Sequence, residues 1–368
     1  MSWKKWMKNA VTGDEDGFIT GISADTAEAK ALNKILESFP MSVPEYYLSL
    51  INWDDPADPI RKMCIPSLAE LNMTGDFDTS GEVENTVING MQHKYNQTAL
   101  VLSTHNCAMY CRHCFRKRLV GLTGDEAMQH FDEMIEYIST HKEISNVLIS
   151  GGDSLVNSNA TIERYLAALS EIEHLDFIRF GTRTPVVVPQ RIYEDPELLS
   201  ILKKHDEKKN ILIVTQFNHP AELTAESKKA IDALHEAGID VKNQTVLLRG
   251  VNDSVETLTR LMSGLTRFGI IPYYVFQCRP VSGVGSHFQV PLKTGSDIIE
   301  KTRARLCGPA KSFRYAMSHI TGKIEIIGNL PDGRTVFKYH QAKHPQDTGR
   351  IFTHMLDDSG AWLEDIPQ

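Results

Sequence analysis

Residues 98–118 read "TALVLSTHNCAMYCRHCFRKR". The first seven, Thr98 to Thr104, form an apolar, β-branched run that predicts a strand. The chain then enters a loop holding Cys107, Cys111 and Cys114, spaced C-x3-C-x2-C, with Arg116, Lys117 and Arg118 directly behind. These are three of the six cysteines of the whole chain, so thiols are concentrated here. The N-terminal stretch lacks the apolar core of a secretory signal, which points to a reducing cytoplasm where disulfides do not persist. Clustered thiols then read as metal ligands or as chemistry. Three thiolates from one loop can hold three irons of a [4Fe–4S] cubane and leave the fourth iron open. A zinc site completed by His105 or His113 is one alternative, and three unrelated thiols are another.

The same strand-then-polar-loop pattern repeats downstream. "NVLISG", "FIRFG", "ILIVTQF", "NQTVLL" and "PYYVFQC" predict five further strands between about residues 97 and 278. Amphipathic segments such as "TIERYLAALSEI", "PELLSILKKH" and "AESKKAIDALHEAG" predict helices between them. Alternation of this kind implies parallel βα units, hence an α/β fold: an open or partial (β/α) barrel or a doubly wound sheet. Gly151, Gly152 and Asp153 follow the second strand, Arg183 the third, "FNHP" with His219 the fourth and Arg279 the sixth. Parallel α/β folds gather active sites at these strand ends, so the polar residues predict one catalytic rim.

Flanking regions differ. Residues 1–92 read as a helical extension, with one helix behind Ser23 and another capped by Ser42 with Pro44 in its first turn. Residues 93–305 form the core, and 306–368 a C-terminal segment of short strands with a turn at "PDG", 331–333. A net charge of −8 argues against nucleic acid or an anionic membrane as the main partner. No apolar run is long enough to span a bilayer.

At these residues the chain resembles the lysine 2,3-aminomutase family of radical S-adenosylmethionine (SAM) enzymes. The spacing of the cysteines, with Tyr110 before the last pair, is the radical SAM signature. "DPADPIRKMCIPSLAEL", "QHKY", "SGGDSL", "GTRTPVVVPQRI", "NQTVLLRGVND" and "HFQVPL" also look like family stretches in family order. The resemblance implies a partial (β/α)6 barrel and a 1,2-shift of an amino group, with a [4Fe–4S] cluster, SAM and pyridoxal phosphate (PLP) as cofactors. It further implies a small-molecule amino acid as substrate and an external electron donor of flavodoxin or ferredoxin type; a homo-oligomer is compatible with it. Cys107, Cys111 and Cys114 would hold the cluster. Gly151, Gly152, Asp153, Gln216 and Gln244 would meet SAM, the glycines by letting backbone approach its amino group. Lys323, behind Gly322, would form the Schiff base with PLP, and Lys94 stands where a family arginine serves the phosphate. Arg116 matches the arginine that pairs with the substrate carboxylate.

The pattern also departs from the family's. Lysine enzymes hold the substrate ammonium with two aspartates; Arg279 and Ala316 stand at those positions here. A reversed charge makes lysine a poor substrate and invites an acidic or neutral side chain. The family's C-terminal zinc-binding cysteines are missing, since only Cys307 follows Cys278, so zinc is not expected. A related radical SAM reaction (decarboxylation, epimerisation or modification of a protein lysine) is the alternative enzyme, and an iron–sulfur or zinc sensor the non-enzymatic one.

Overall fold

The computed structural model describes residues 4–13, 26–119, 129–364 and 366. A single twelve-stranded sheet runs through them in strict chain order. β3 (Thr98–Thr104), β4 (Asn146–Gly151), β5 (Phe177–Gly181), β6 (Asn210–Thr215), β7 (Asp240–Leu247) and β8 (Ile271–Gln277) are the six expected strands. Each pairs parallel with the next. The parallel part is an α/β sheet of βα units, open rather than closed.

Helices connect the parallel strands and pack on the sheet. α1 (Phe131–Thr140), α2 (Asn159–Ser170), α3 (Pro196–Asp206), α4 (Ala225–Glu236) and α5 (Val255–Arg267) are the five crossovers. In α5 the buried Leu258, Leu261, Met262 and Leu265 recur at helical spacing, which turns one stripe onto the sheet. Each fully buried leucine of this kind contributes about 1.5–3 kcal/mol. Ser254 starts the helix by accepting a hydrogen bond from the Thr257 N–H at 3.1 Å.

The sheet is longer than the sequence pattern predicts. After α6 (Leu292–Ala304) a seventh strand, β9 (Arg314–His319), joins β8 in parallel. β10 (Gly322–Asn329), β11 (Arg334–Ala342) and β12 (Ile351–Met355) then continue antiparallel. The "PDG" turn links β10 to β11, with Gly333 at φ +88°. At the other edge β1 (Thr86–Ile88) and β2 (Met91–Tyr95) add antiparallel to β3. The sheet is therefore continuous across residues 92 and 93.

The N-terminal helix expected behind Ser23 is present, while the cap expected at Ser42 moves. Ser23 lies outside the described residues, and Thr26 caps the helix Ala27–Ser38. The segment after Ser42 forms one turn, Glu45–Leu48, capped by Pro44 instead. The Ser42 carbonyl is committed elsewhere, accepting from the Tyr110 N–H of the cysteine loop at 2.9 Å. Among the described residues no helix is long and apolar enough to cross a membrane.

Candidate active site

A cavity of about 390 Å³ opens at the C-terminal ends of the parallel strands. The cysteine loop supplies one wall, with Cys107, Cys111, Cys114 and Arg116 lining it. Gly151, Gly152, Asp153, Gln216 and Gln244 line it from the ends of β4, β6 and β7. Lys94, Arg279 and Lys323 come from β2, the loop after β8 and the start of β10. β9 runs parallel to β8 and β10 turns back, which returns Lys323 to the cavity. The residues expected to meet the cluster, SAM, PLP and substrate thus face one space, whereas His105, His219 and Ala316 do not line it.

The cysteine loop is clamped to the N-terminal extension. Arg112 places Nε 2.9 Å and Nη2 2.6 Å from the two oxygens of Glu70. Its Nη1 donates to the carbonyls of Phe39 and Pro40. Lys117 is also buried and pairs with Glu70, so it belongs to this clamp rather than to solvent. Burial raises the Cys107 thiol well above its ordinary range and the Cys114 thiol to about 11. Among the described residues no three His, Cys, Asp or Glu side chains converge on a point suited to one ion. Three separated thiols on one cavity wall fit a body wider than a single metal, such as a four-iron cluster.

The two glycines are required by close backbone approach within the chain. A Cβ on Gly151 would lie 2.3 Å from the Thr104 carbonyl oxygen, and one on Gly152 2.2 Å from that of Asn106. Glycine lets β4 end directly against the cysteine loop; that close approach is to the chain itself. Asp153 is similarly occupied. It accepts from the hydroxyls of Thr182 and Thr184 and from the N–H groups of Leu155 and Arg183. Gln216 Nε2 lies 3.1 Å from His113 Nε2. His219 caps a turn, accepting from the Ala221 N–H at 3.2 Å. His105 lines a separate, smaller cavity.

Basic groups dominate the lining. Arg116 directs Nε to Glu82 at 2.8 Å, and Arg118 reaches the other Glu82 oxygen at 3.0 Å. Lys94 donates to the carbonyls of Ser80 and His319 at 3.0 and 2.7 Å. Burial, with Arg279 nearby, lowers its pKa to about 7. Lys323 sits among Tyr95, Tyr274 and Phe276, its Nζ 4.6 Å from the Tyr274 ring centroid. Burial lowers it to about 7 as well, assisted by Arg179, Arg279 and Lys94. A lysine amine free of any carboxylate and near neutrality suits imine formation. Arg279 lies over the Phe115 ring at 4.2 Å, and its Nη1 is buried without a hydrogen-bond partner.

Sequence reasoning missed Glu82 and Arg179. Glu82 gave no local signal. Arg179 did give one: a charge inside the buried strand "FIRFG" is out of place unless something needs it. It lines the cavity from β5, its Nη2 on Asn146 and its Nε buried without a partner.

Comparison with known proteins identifies the architecture. Residues 101–262 match the radical SAM superfamily. The L-lysine 2,3-aminomutase of Clostridium subterminale is 42% identical over 76% of this chain and 67% of its own. That of Fusobacterium nucleatum is 40% identical over 84% and 72%. The chain belongs to the lysine 2,3-aminomutase family of radical SAM enzymes. The glutamate 2,3-aminomutase of Clostridioides difficile, 36% identical over 83% of this chain and 72% of its own, is a further relative. As an isomerase of this family it is expected to use SAM and a [4Fe–4S] cluster, and the cysteine loop has the donor set for one.

Proposed function

We propose that this aminomutase moves the α-amino group of a non-lysine amino acid to the β-carbon, with PLP anchored on Lys323 and an acidic or neutral substrate side chain facing Arg279. The observation that carries the substrate choice is Arg279 itself, which lines the cavity and whose Nη1 is buried without a hydrogen-bond partner among the described residues. The acid nearest in charge terms, Glu82, is already shared by Arg116 and Arg118. Ala316, on β9 beside Phe276, offers no charge to an incoming ammonium. A carboxylate would fill the vacancy with a two-pronged pairing that Arg is built to make. The relative named a glutamate 2,3-aminomutase supports this choice.

When bound, the cluster and SAM supply a carbon-centred radical, and PLP carries the migrating nitrogen. The chain's own residues bind and orient. Lys323 offers a neutral amine near pH 7. Arg116, held by Glu82, meets the substrate α-carboxylate. Lys94, already donating to two carbonyls, offers an N–H donor to a phosphate, whose negative charge would favour its protonated form, without being free to swing. The clamp of Arg112, Lys117 and Glu70 keeps the cysteine loop fixed against the N-terminal extension.

The test is anaerobic incubation of reconstituted protein with SAM, PLP, reductant and an amino-acid panel, read by mass spectrometry. A β-amino product from glutamate or a neutral amino acid, with little from lysine, is expected. Turnover confined to lysine overturns the reading.

A further inference from the structure

We propose that Arg183 tunes the reduction potential of the cluster through its hydrogen bond to Cys111, with Glu222 as the opposing charge that limits the effect. The inference rests on the family assignment of the cysteine loop as the cluster site, and goes beyond it. Arg183 follows β5 in the "RTP" stretch, and its Nη1 stands 2.9 Å from Cys111 Sγ. Among the described residues Cys111 is the one cysteine of the three that accepts a side-chain hydrogen bond.

Arg183 cannot easily move away. Its Nε donates to the Gln216 carbonyl at 3.1 Å, and Nη2 donates to Tyr47 Oη at 3.1 Å. The same Nη2 pairs with Glu222, whose side chain is wholly buried. Its own N–H is held by Asp153 at 2.8 Å. Glu222 is fixed in turn by the Tyr47 hydroxyl and by the N–H groups of Asn218 and His219. The aspartate of "SGGD" thus sets the position of an arginine aimed at a cluster ligand.

One-electron reduction, by an external low-potential donor, adds negative charge that is shared with the ligand sulfurs. A cationic donor on one sulfur stabilises the reduced form more than the oxidised form, which raises the potential. The site is buried, so the interaction is poorly screened. An enzyme that must reduce SAM cannot let its cluster become a weak reductant. The buried Glu222 carboxylate offsets the guanidinium charge while leaving the hydrogen bond in place.

The test is an EPR-monitored potentiometric titration of the full-length, anaerobically reconstituted protein without SAM, after iron has been counted. Arg183→Gln should lower the midpoint by about 59 mV or more, equal to a tenfold smaller reduced fraction at a fixed potential. Arg183→Lys, which keeps charge without the fork, should shift less. Glu222→Gln should move the midpoint the opposite way. Unchanged midpoints in both Arg183 variants at wild-type iron content overturn the proposal. So does a Glu222→Gln shift of the same sign as Arg183→Gln, which would mark general disturbance rather than charge. If Arg183→Gln loads no iron, the signs of the Arg183→Lys and Glu222→Gln shifts decide. Failure of the wild-type protein to load about four irons overturns the cluster assignment as well, and is seen before any titration.

Discussion

Lys323 places its amine over the Tyr274 ring, 4.6 Å from the centroid, with no carboxylate among the described residues paired to it. Most buried lysines are paired, because an isolated ammonium is costly to desolvate. Here the chain lowers the pKa to about 7 instead. Wild-type protein incubated with PLP and then borohydride should carry the cofactor covalently on Lys323, located by peptide mass spectrometry. The labelling rate should rise with pH through about 7, as the amine loses its proton. Labelling at full stoichiometry in Lys323→Ala would place the anchor elsewhere.

The same lysine makes a stability prediction for the protein without PLP. Its folded-state pKa lies below the unfolded value of 10.5, so between about 7 and 10.5 the unfolded chain holds a proton that the native protein does not. Stability should therefore rise with pH across that window and lose this slope below it. One proton contributes at most about 1.4 kcal/mol per pH unit. Lys94 titrates in the same window, so Lys323→Met should flatten the slope without abolishing it. Urea unfolding at several alkaline pH values measures this; an unchanged slope would mean that Lys323 is solvated.

Replacing Cys107, Cys111 or Cys114 by Ala should cut iron loading from about four per chain and abolish reductive SAM cleavage. Iron assay with absorption spectroscopy is the check. Replacing Cys307, which is exposed, should do neither.

Much of this site is legible in the sequence, for a local reason. Ligand spacing in Cys107–Cys114 and the strand-to-loop steps at "SGGD" and "RTP" are encoded within a few residues. The same is true of the six strands, each a short β-branched run between turn signals. What escapes is encoded across distance. Glu82 meets Arg116 from 34 positions away, Glu222 meets Arg183 from 39, and Tyr47 meets Glu222 from 175. β1 and β2 escape for another reason: "TVI" is only three residues and "MQHKY" is short and polar, and they become strands by adding in turn to the edge of β3. A second reason for the glycines also escapes, because only the folded backbone reveals that Thr104 and Asn106 occupy the space their side chains would need.

Glu82 yields a fourth prediction. It orients Arg116 from one side and Arg118 from the other. Glu82→Gln keeps the shape but weakens a buried charged contact, so Arg116 should lose its fixed fork. Turnover should fall on the order of tenfold to a hundredfold, with substrate KM rising, while SAM cleavage without substrate persists. Arg116→Ala should be more severe, because it removes the carboxylate partner itself, and loss of a buried charge pair typically costs about 2–5 kcal/mol. Equal effects on coupled turnover and uncoupled SAM cleavage would mean that Glu82 serves the fold alone.

In the proposed function Arg279 decides the substrate. Its guanidinium is lowered to about 10 by burial, yet remains charged at neutral pH. A lysine substrate would bring an ammonium toward this cation in a cavity already lined by Lys94, Arg116 and Arg179. No aspartate compensates at position 279 or 316, so that approach adds repulsion to desolvation. A carboxylate meets the reverse: an unpartnered buried Nη1 gains its hydrogen bond, and a surplus of positive charge is offset. Arg279→Ala should therefore cut kcat/KM for an acidic substrate by about 30-fold to several thousandfold, the range that corresponds to 2–5 kcal/mol. Arg279→Lys should recover only part, since a point charge lacks the fork. SAM cleavage in the absence of substrate should be unchanged in both variants. Competition between glutamate and lysine at equal concentration, followed by mass spectrometry of the β-amino products, gives the ratio directly. Arg279→Asp should shift that ratio toward lysine; a ratio that ignores all three changes would remove Arg279 from the substrate pocket.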